Sequence, residues 1–222
     1  MIRDNKVSFI LNLFIFIFVL PCAILSFTRI QNVGGGLTVI KYFTVQSNIV
    51  SGITSLIFVI YYILISKKKT AKIPKLVYVL KFVATIDLLL TFFTVLFFLA
   101  PTISTGFFSL YAYTNFFFHF LVPVLTFVSF VFFESEYLFS FRITFIGMIH
   151  FICYSIFYFV IAVSHLGKNG EVPVLYDWYG YSRNGVTGMI ISIIVTFIGT
   201  YLCSLFLWWI CNKMHNKKSA KR

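Results

Sequence analysis

Residues Leu76 to Ala100 read LVYVLKFVATIDLLLTFFTVLFFLA. This run exceeds the ~20 predominantly apolar residues that an α-helix needs to cross a hydrocarbon core of roughly 30 Å. Five more runs of the same kind flank it, at Val7–Phe27, Leu37–Ile65, Leu110–Phe133, Ile143–His165 and Val186–Cys211. The expected fold is therefore all-α: one integral membrane domain over residues 1–222, built as a bundle of six transmembrane helices, with 212–222 as a basic tail.

Composition agrees with that reading. Of the 222 residues, 60% are hydrophobic and 11% charged, 30 are Phe, and mean hydropathy is +0.96. A chain with so few polar residues cannot cover a water-soluble globule of this size. The segments between the runs, among them Gly34-Gly35-Gly36, Lys67–Pro74, Pro101–Ser109, Glu134–Arg142 and Leu166–Gly185, are too short to hold a separate soluble domain. The first run has a basic start, but no small-x-small cleavage site follows Phe27, so it reads as a retained helix rather than a signal peptide.

A net charge of +12 would suggest nucleic acid as a partner in a soluble protein. Here its placement is topological. With the N-terminus in the cytoplasm, only Arg29, Lys41, Lys168 and Arg183 fall outside, which leaves 14 of the 18 Lys and Arg inside. The positive-inside rule then predicts a multi-pass protein of the cell membrane with both termini cytoplasmic. The basic tail suits anionic headgroups, and no nucleic acid is expected. Cys22, Cys153, Cys203 and Cys211 lack the paired spacing of a zinc site, so no metal and no cofactor are expected.

Polar residues inside apolar spans are the functional clues, because each is either satisfied by a partner or used for chemistry. Thr44, Asn48, Ser51 and Ser55 follow one another at helical steps in the second span and share a face. Such a stripe serves as helix-to-helix glue or lines a site. Asn115, His119 and Pro123 repeat the pattern in the fourth span. His119 suits packing, proton relay or general-base work, since an unperturbed histidine titrates near pH 6.5. Counted from the span ends at 1.5 Å per residue, Thr44 and His119 lie at roughly 10 and 13 Å depth, both in the outer half of the bilayer. That match permits a threonine hydroxyl activated by a base.

Lys41, one turn above Thr44, serves either as an interface anchor or as an attractor for a substrate carboxylate or phosphate. Asp87, in the middle of the third span, must be paired, protonated or hydrated. The alternatives for it are orienting His119, relaying protons, binding a cation or a structural pairing. His150, Tyr154 and Tyr158 step along the fifth span, and Leu175 to Tyr181 form an aromatic belt or lid after it. No H-E-x-x-H, G-x-S-x-G, Walker A or dinucleotide fingerprint occurs.

Tyr42-Phe43-Thr44 with Asn48, His119 with Pro123, and Tyr158 with Asp177-Trp178-Tyr179-Gly180 together resemble the androgen-induced protein family and its bacterial six-span relatives, over nearly the whole length. In that family, animal members are intramembrane threonine hydrolases of fatty acid esters of hydroxy fatty acids. The resemblance implies Thr44 as nucleophile and His119 as general base, acting on a fatty acid ester drawn from membrane lipids. Asn48 or Tyr158 would polarise the ester carbonyl, with Asp87 and Asn115 as supporting polar groups. Two other classes stand beside this one: a small proton-coupled transporter using Asp87, His119 and His150, and a non-catalytic membrane scaffold.

Overall fold

The computed structural model describes residues 2–28, 37–70, 72–102, 104, 106–167 and 170–220. The Gly34–Gly36 connection, Arg29, Lys168 and the last two tail cations lie outside the described residues. Six helices are long and apolar enough to cross a membrane, and no strand occurs among the described residues. In chain order they are α1 (Ile2–Phe27), α2 (Phe43–Ser66), α3 (Lys75–Thr94), α4 (Thr114–Phe133), α5 (Ile143–Ser164) and α6 (Gly185–Ser219). The protein is therefore an all-helical, multi-pass membrane protein, as expected.

The boundaries differ from the hydropathy reading in two places. The second apolar run begins as a 3-10 turn, Leu37–Lys41, and the α-helix starts only at Phe43. Tyr42, in extended conformation, separates the two. Consequently Thr44 lies in the first turn of α2 rather than two turns inside a helix. At the other end, α6 continues as helix through Lys213, Lys217 and Lys218, so most of the basic tail is an extension of the last span. Lys and Arg favour helix as well as Leu does, and cations suit a helix C-terminus.

Helix α3 is the axis of the bundle. It packs against α2, α4, α5 and α6, while α1 closes the opposite side against α2 and α4. Of its apolar window 56% is buried, against 22–39% for the other five, so α3 is the helix least exposed to lipid. One aromatic cluster, with Phe58, Tyr78, Phe82 and Phe130, fills the end of the bundle where α3 begins. A second, with Phe43, Phe151, Tyr154 and Tyr158, fills the end where α2 begins.

Side-chain bonds fix the relative direction of α2 and α4. Asn48 Nδ2 donates to the Phe118 carbonyl (3.2 Å), and the hydroxyls of Ser51 and Thr126 meet at 3.1 Å. Both partners advance together, so the two helices run parallel. Helix α4 contains a wide turn, Phe117–Leu121, in which the Val122 N–H reaches back five residues to the Phe117 carbonyl. Pro123 follows at once; it offers no N–H to the preceding turn, and the local widening accommodates that gap. The extra residue in the turn breaks the four-residue register: Asn115 is exposed and Pro123 is buried.

Candidate functional site

The start of α2 is held from above by the loop after α5. The Tyr179 hydroxyl accepts from the Phe43 N–H (2.9 Å), one of the helix-end donors that have no partner within the helix. Tyr154 donates its hydroxyl to the Lys41 carbonyl (2.6 Å), and Trp178 Nε1 donates to the Tyr154 hydroxyl (3.0 Å). Lys41 itself donates to the Leu175 carbonyl (3.3 Å), with its ammonium 5.2 Å from the Trp178 ring centre. The aromatic segment is thus a lid clasped to the head of α2, and the Lys41 ammonium is part of that clasp.

Asp177 anchors the lid. Its carboxylate accepts from the backbone N–H groups of Tyr181 (2.9 Å) and Ser182 (2.8 Å), from the Ser182 hydroxyl, and from the Tyr158 hydroxyl. Burial opposes ionisation, but the Ser182, Tyr158 and Tyr181 donors outweigh it and hold the Asp177 carboxyl below the usual carboxylate range. Tyr158 is therefore the inner half of a structural clasp, and its hydroxyl is already committed.

Beneath the lid lies a cavity of about 700 Å³. Phe43 and Thr44 form its head, Leu90, Thr91 and Thr94 of α3 one wall, and α5 and α6 the others through Phe151, Ser155, Ser192 and Thr196. Phe98 and Leu202, 61% and 59% exposed on the lipid-facing surface, also line it, so the cavity opens sideways between α3 and α6. Thr44 is half-buried at its wall. Because Thr44 sits in the first turn of α2, the positive end of the helix dipole favours negative charge developing on its oxygen.

The other sequence candidates are placed as follows. Asn48, fully buried one turn below Thr44, donates both to the Thr44 carbonyl (2.8 Å) and to the Phe118 carbonyl, which ties the head of α2 to α4. Its Oδ1 is buried with no hydrogen-bond partner. With the amide protons committed to carbonyls and Tyr158 held by Asp177, neither expected carbonyl-polarising group is free. His119 turns its Nδ1 to the Leu110 carbonyl (2.8 Å). That contact selects the tautomer with Nδ1–H donating and leaves Nε2 as the basic nitrogen. No hydrogen bond joins His119 to Thr44 among the described residues. The bond from Asn48 to Phe118 puts His119 near the level of Asn48, one turn or about 6 Å below Thr44 along the bundle. Asn115, exposed at the start of α4, is not part of the cavity wall.

Asp87 is fully buried and pairs with His150 rather than His119. His150 Nδ1 lies 2.7 Å from Asp87 Oδ2, its Nε2 lies 3.4 Å from Gln46 Oε1, and its ring stacks on Phe43 at 5.3 Å. The pair therefore sits directly behind the residue that heads the cavity. Asp87 Oδ1 has no partner in its buried position.

A second polar cluster occupies the other end of the bundle. Lys81 is fully buried and donates to Asn12 Oδ1 and Ser55 Oγ, both at 2.6 Å. Asn12 in turn donates to Glu134 Oε1 (2.5 Å), which also accepts from Ser8 (2.7 Å) and Ser129 (2.5 Å). An asparagine amide thus bridges a buried cation and a buried anion across α1, α3 and α4. In the sequence Lys81 counts as an inner-side cation and Glu134 as part of a connection, yet both are enclosed, at 0% and 1% exposure. The visible signal was Ser8 and Asn12, one turn apart in an otherwise apolar first span.

Among the described residues no group of three or more His, Cys, Asp or Glu could hold a metal ion. Comparison with protein-family models, with curated proteins and with solved structures gives no match for this chain.

Proposed function

We propose that this membrane protein admits the acyl part of a lipid ester into the cavity between α3, α5 and α6 and cleaves the ester at Thr44. One observation carries the reading: Thr44, the residue that the family resemblance makes the nucleophile, lines an apolar cavity with a lipid-facing mouth. A lipid substrate enters such a site from the bilayer without crossing water. In the proposed reaction Thr44 Oγ1 attacks the ester carbonyl carbon while its proton passes to His119 Nε2. The bond to the alcohol oxygen breaks, and that oxygen takes the proton from His119. Water then attacks the acyl-threonine by the same route and releases the carboxylic acid. His119 is not on the cavity wall, so the reaction requires it to approach Thr44 by about one helical turn.

The test is hydrolysis of long-chain esters by the purified protein, with Thr44→Ala and His119→Ala alongside. The proposal expects each substitution to lower turnover by at least two orders of magnitude, since general-base help alone is worth about 10²–10⁴-fold. Equal turnover by wild type and both variants refutes the assignment.

One observation favours a second reading. The Asp87–His150 pair is the arrangement expected of a proton-exchanging site in a small permease. Under that reading Asp87→Asn abolishes proton-coupled uptake in proteoliposomes while ester turnover is absent throughout.

A further inference from the structure

We propose that Arg183 is the anion anchor of this site: its guanidinium holds the carboxylate or phosphate of a lipid whose chain runs into the cavity. This rests on the proposed function above and names the residue that positions its substrate. The cavity itself takes only the apolar part, since no Lys, Arg, His, Asp or Glu lines it. A charged group drawn inside would lose its water and meet no counter-charge. An anionic end therefore stays at the rim, where Arg183 stands.

Arg183 is exposed in the 3-10 turn Tyr181–Asn184, between the lid and α6. Tyr179 and Tyr181, stacked with ring centres 5.5 Å apart, roof the cavity and line it. The guanidinium is placed by Gly180, whose φ of +67° and missing side chain let it lie against the backbone; a Cβ there would fall 2.9 Å from Nε and 3.5 Å from Nη2. Its charge is not spent. The ion pair among the described residues is that of Asp87 with His150. Asp177, three residues before Gly180, is held by Tyr158, Tyr181 and Ser182. Lys41, the attractor expected from the sequence, is engaged with the Leu175 carbonyl and Trp178 instead. A guanidinium fixed in this way offers its planar set of N–H groups to a carboxylate or phosphate.

The distance from Arg183 to Thr44 decides which anionic lipid reacts. Gly199 of α6 faces Leu90, where a Cβ would meet Leu90 Cδ1 at 3.9 Å, and the hydroxyl of the next residue, Thr91, lies 3.5 Å from that of Ser47. Thr44 stands about 5 Å nearer the lid than Ser47, and Gly185 about 21 Å nearer it than Gly199, which puts the Arg183 turn roughly 15 Å beyond Thr44 along the bundle. The ester of a phospholipid lies only a few bonds from its phosphate and falls short of that span. A carboxylate separated from its ester by a stretch of alkyl chain covers it. Both anions bind at Arg183, and only the second brings an ester to Thr44.

The test uses the full chain in detergent and three probes: 12-oleoyloxystearate, its carboxamide, which keeps the ester and loses the charge, and oleoyl lysophosphatidate. Binding is read by native mass spectrometry on the Thr44→Ala protein, and KM and kcat on protein with Thr44 intact. Arg183→Gln removes the cation, Arg183→Lys keeps the charge without the fork, and Gly180→Ala keeps Arg183 but pushes its Nε aside. Gly199→Phe fits at the backbone and fills the cavity. The carboxylate is expected to bind about tenfold more tightly than the carboxamide, the worth of one charge-assisted pair. Arg183→Gln and Gly180→Ala abolish that ratio in binding and in KM, Arg183→Lys keeps part of it, and Gly199→Phe loses all three probes. Lysophosphatidate follows Arg183 in binding and is not hydrolysed. A ratio near one in the parent protein, or one that survives Arg183→Gln because both probes weaken alike, overturns the anchor. Lysophosphatidate hydrolysed as fast as the carboxylate overturns the spacing. Turnover that ignores Arg183 overturns the anchor and keeps the cleavage at Thr44; binding that follows Arg183 with no turnover of any probe does the reverse.

Discussion

Lys81 and Asp87 stand six residues apart on α3, and each finds its counter-charge on a different helix. Lys81 reaches Glu134 through the Asn12 amide, so three helices depend on one ammonium. Removing a single partner from a buried ionic cluster leaves the rest uncompensated and typically costs about 3–5 kcal/mol. Lys81→Met is expected to destabilise the bundle by about that much, seen as a fall in the thermal midpoint in detergent. Adding Glu134→Gln should recover most of the loss, because a neutral amide in place of the carboxylate no longer needs the cation. If the single variant melts with wild type, the cluster contributes no net stability.

These residues also mark how far the sequence could be read. Asp87 announced itself because a carboxylate in mid-span demands a partner, but the choice of His150 over His119 depends on which face of α5 meets α3. That contact is set by the close approach at Gly147. In the sequence Lys81 counts as an inner-side cation and Glu134 as part of a loop, because hydropathy cannot distinguish a charge at a helix end from one folded inward. Asn115 and His119 looked like neighbours on one face because four-residue spacing assumes a regular helix, and the wide turn at Phe117–Leu121 removes that assumption. Thr44, by contrast, lies on a cavity wall, and its sequence position alone leaves open whether such a polar residue is helix-to-helix glue or part of a site.

At the scale of elements, two contacts hold the cavity in shape. The first is the junction of α5 with α3 and α6 at Gly147, where an added Cβ would overlap Ile86 and press on Ser204 Oγ and Phe82. Small residues allow helices in a bilayer to approach this closely. Gly147→Val therefore forces α5 outward; overpacking of this sort costs about 1–3 kcal/mol, and the thermal midpoint should fall accordingly. An unchanged midpoint would mean that the junction yields without strain.

The second contact is the lid clasp at Asp177. Its carboxyl is held below its normal range, so the clasp contributes full stability above the unfolded value near 3.9. That contribution disappears as pH falls through the lower folded value, when the carboxylate takes a proton and can no longer accept every donor. The protection factors of the Tyr181 and Ser182 amides, their exchange corrected for the intrinsic rate at each pH, should fall on acidification below about pH 4. Asp177→Asn should raise exchange at neutral pH and flatten the acid dependence. Exchange that follows the same pH profile in both proteins would show that the clasp does not hold the lid.

On the scale of the whole molecule, six helices divide their polar residues between two ends. The end where α3 begins is closed and ionic, built from Ser8, Asn12, Lys81 and Glu134. The end where α2 begins is hollow and uncharged on its inner walls, roofed by aromatic residues and open to lipid between α3 and α6. The six-span architecture was legible because membrane crossing imposes length and apolarity on every span alike. The cavity was not legible, since its walls come from four helices and its emptiness arises where α3, α5 and α6 fail to meet. Under the proposed function, this division between an ionic base and a lidded hollow is what would let the protein hold a lipid at Thr44.

The most direct test of that claim is covalent trapping. The purified protein is incubated with a fluorophosphonate bearing a long alkyl chain, digested, and analysed by tandem mass spectrometry for the site of attachment. The account predicts one adduct, on the peptide that contains Thr44, lost in Thr44→Ala and blocked in the Gly199→Phe variant whose cavity is filled. An adduct on another residue, or no adduct in protein that still binds neutral lipid, contradicts Thr44 as the nucleophile.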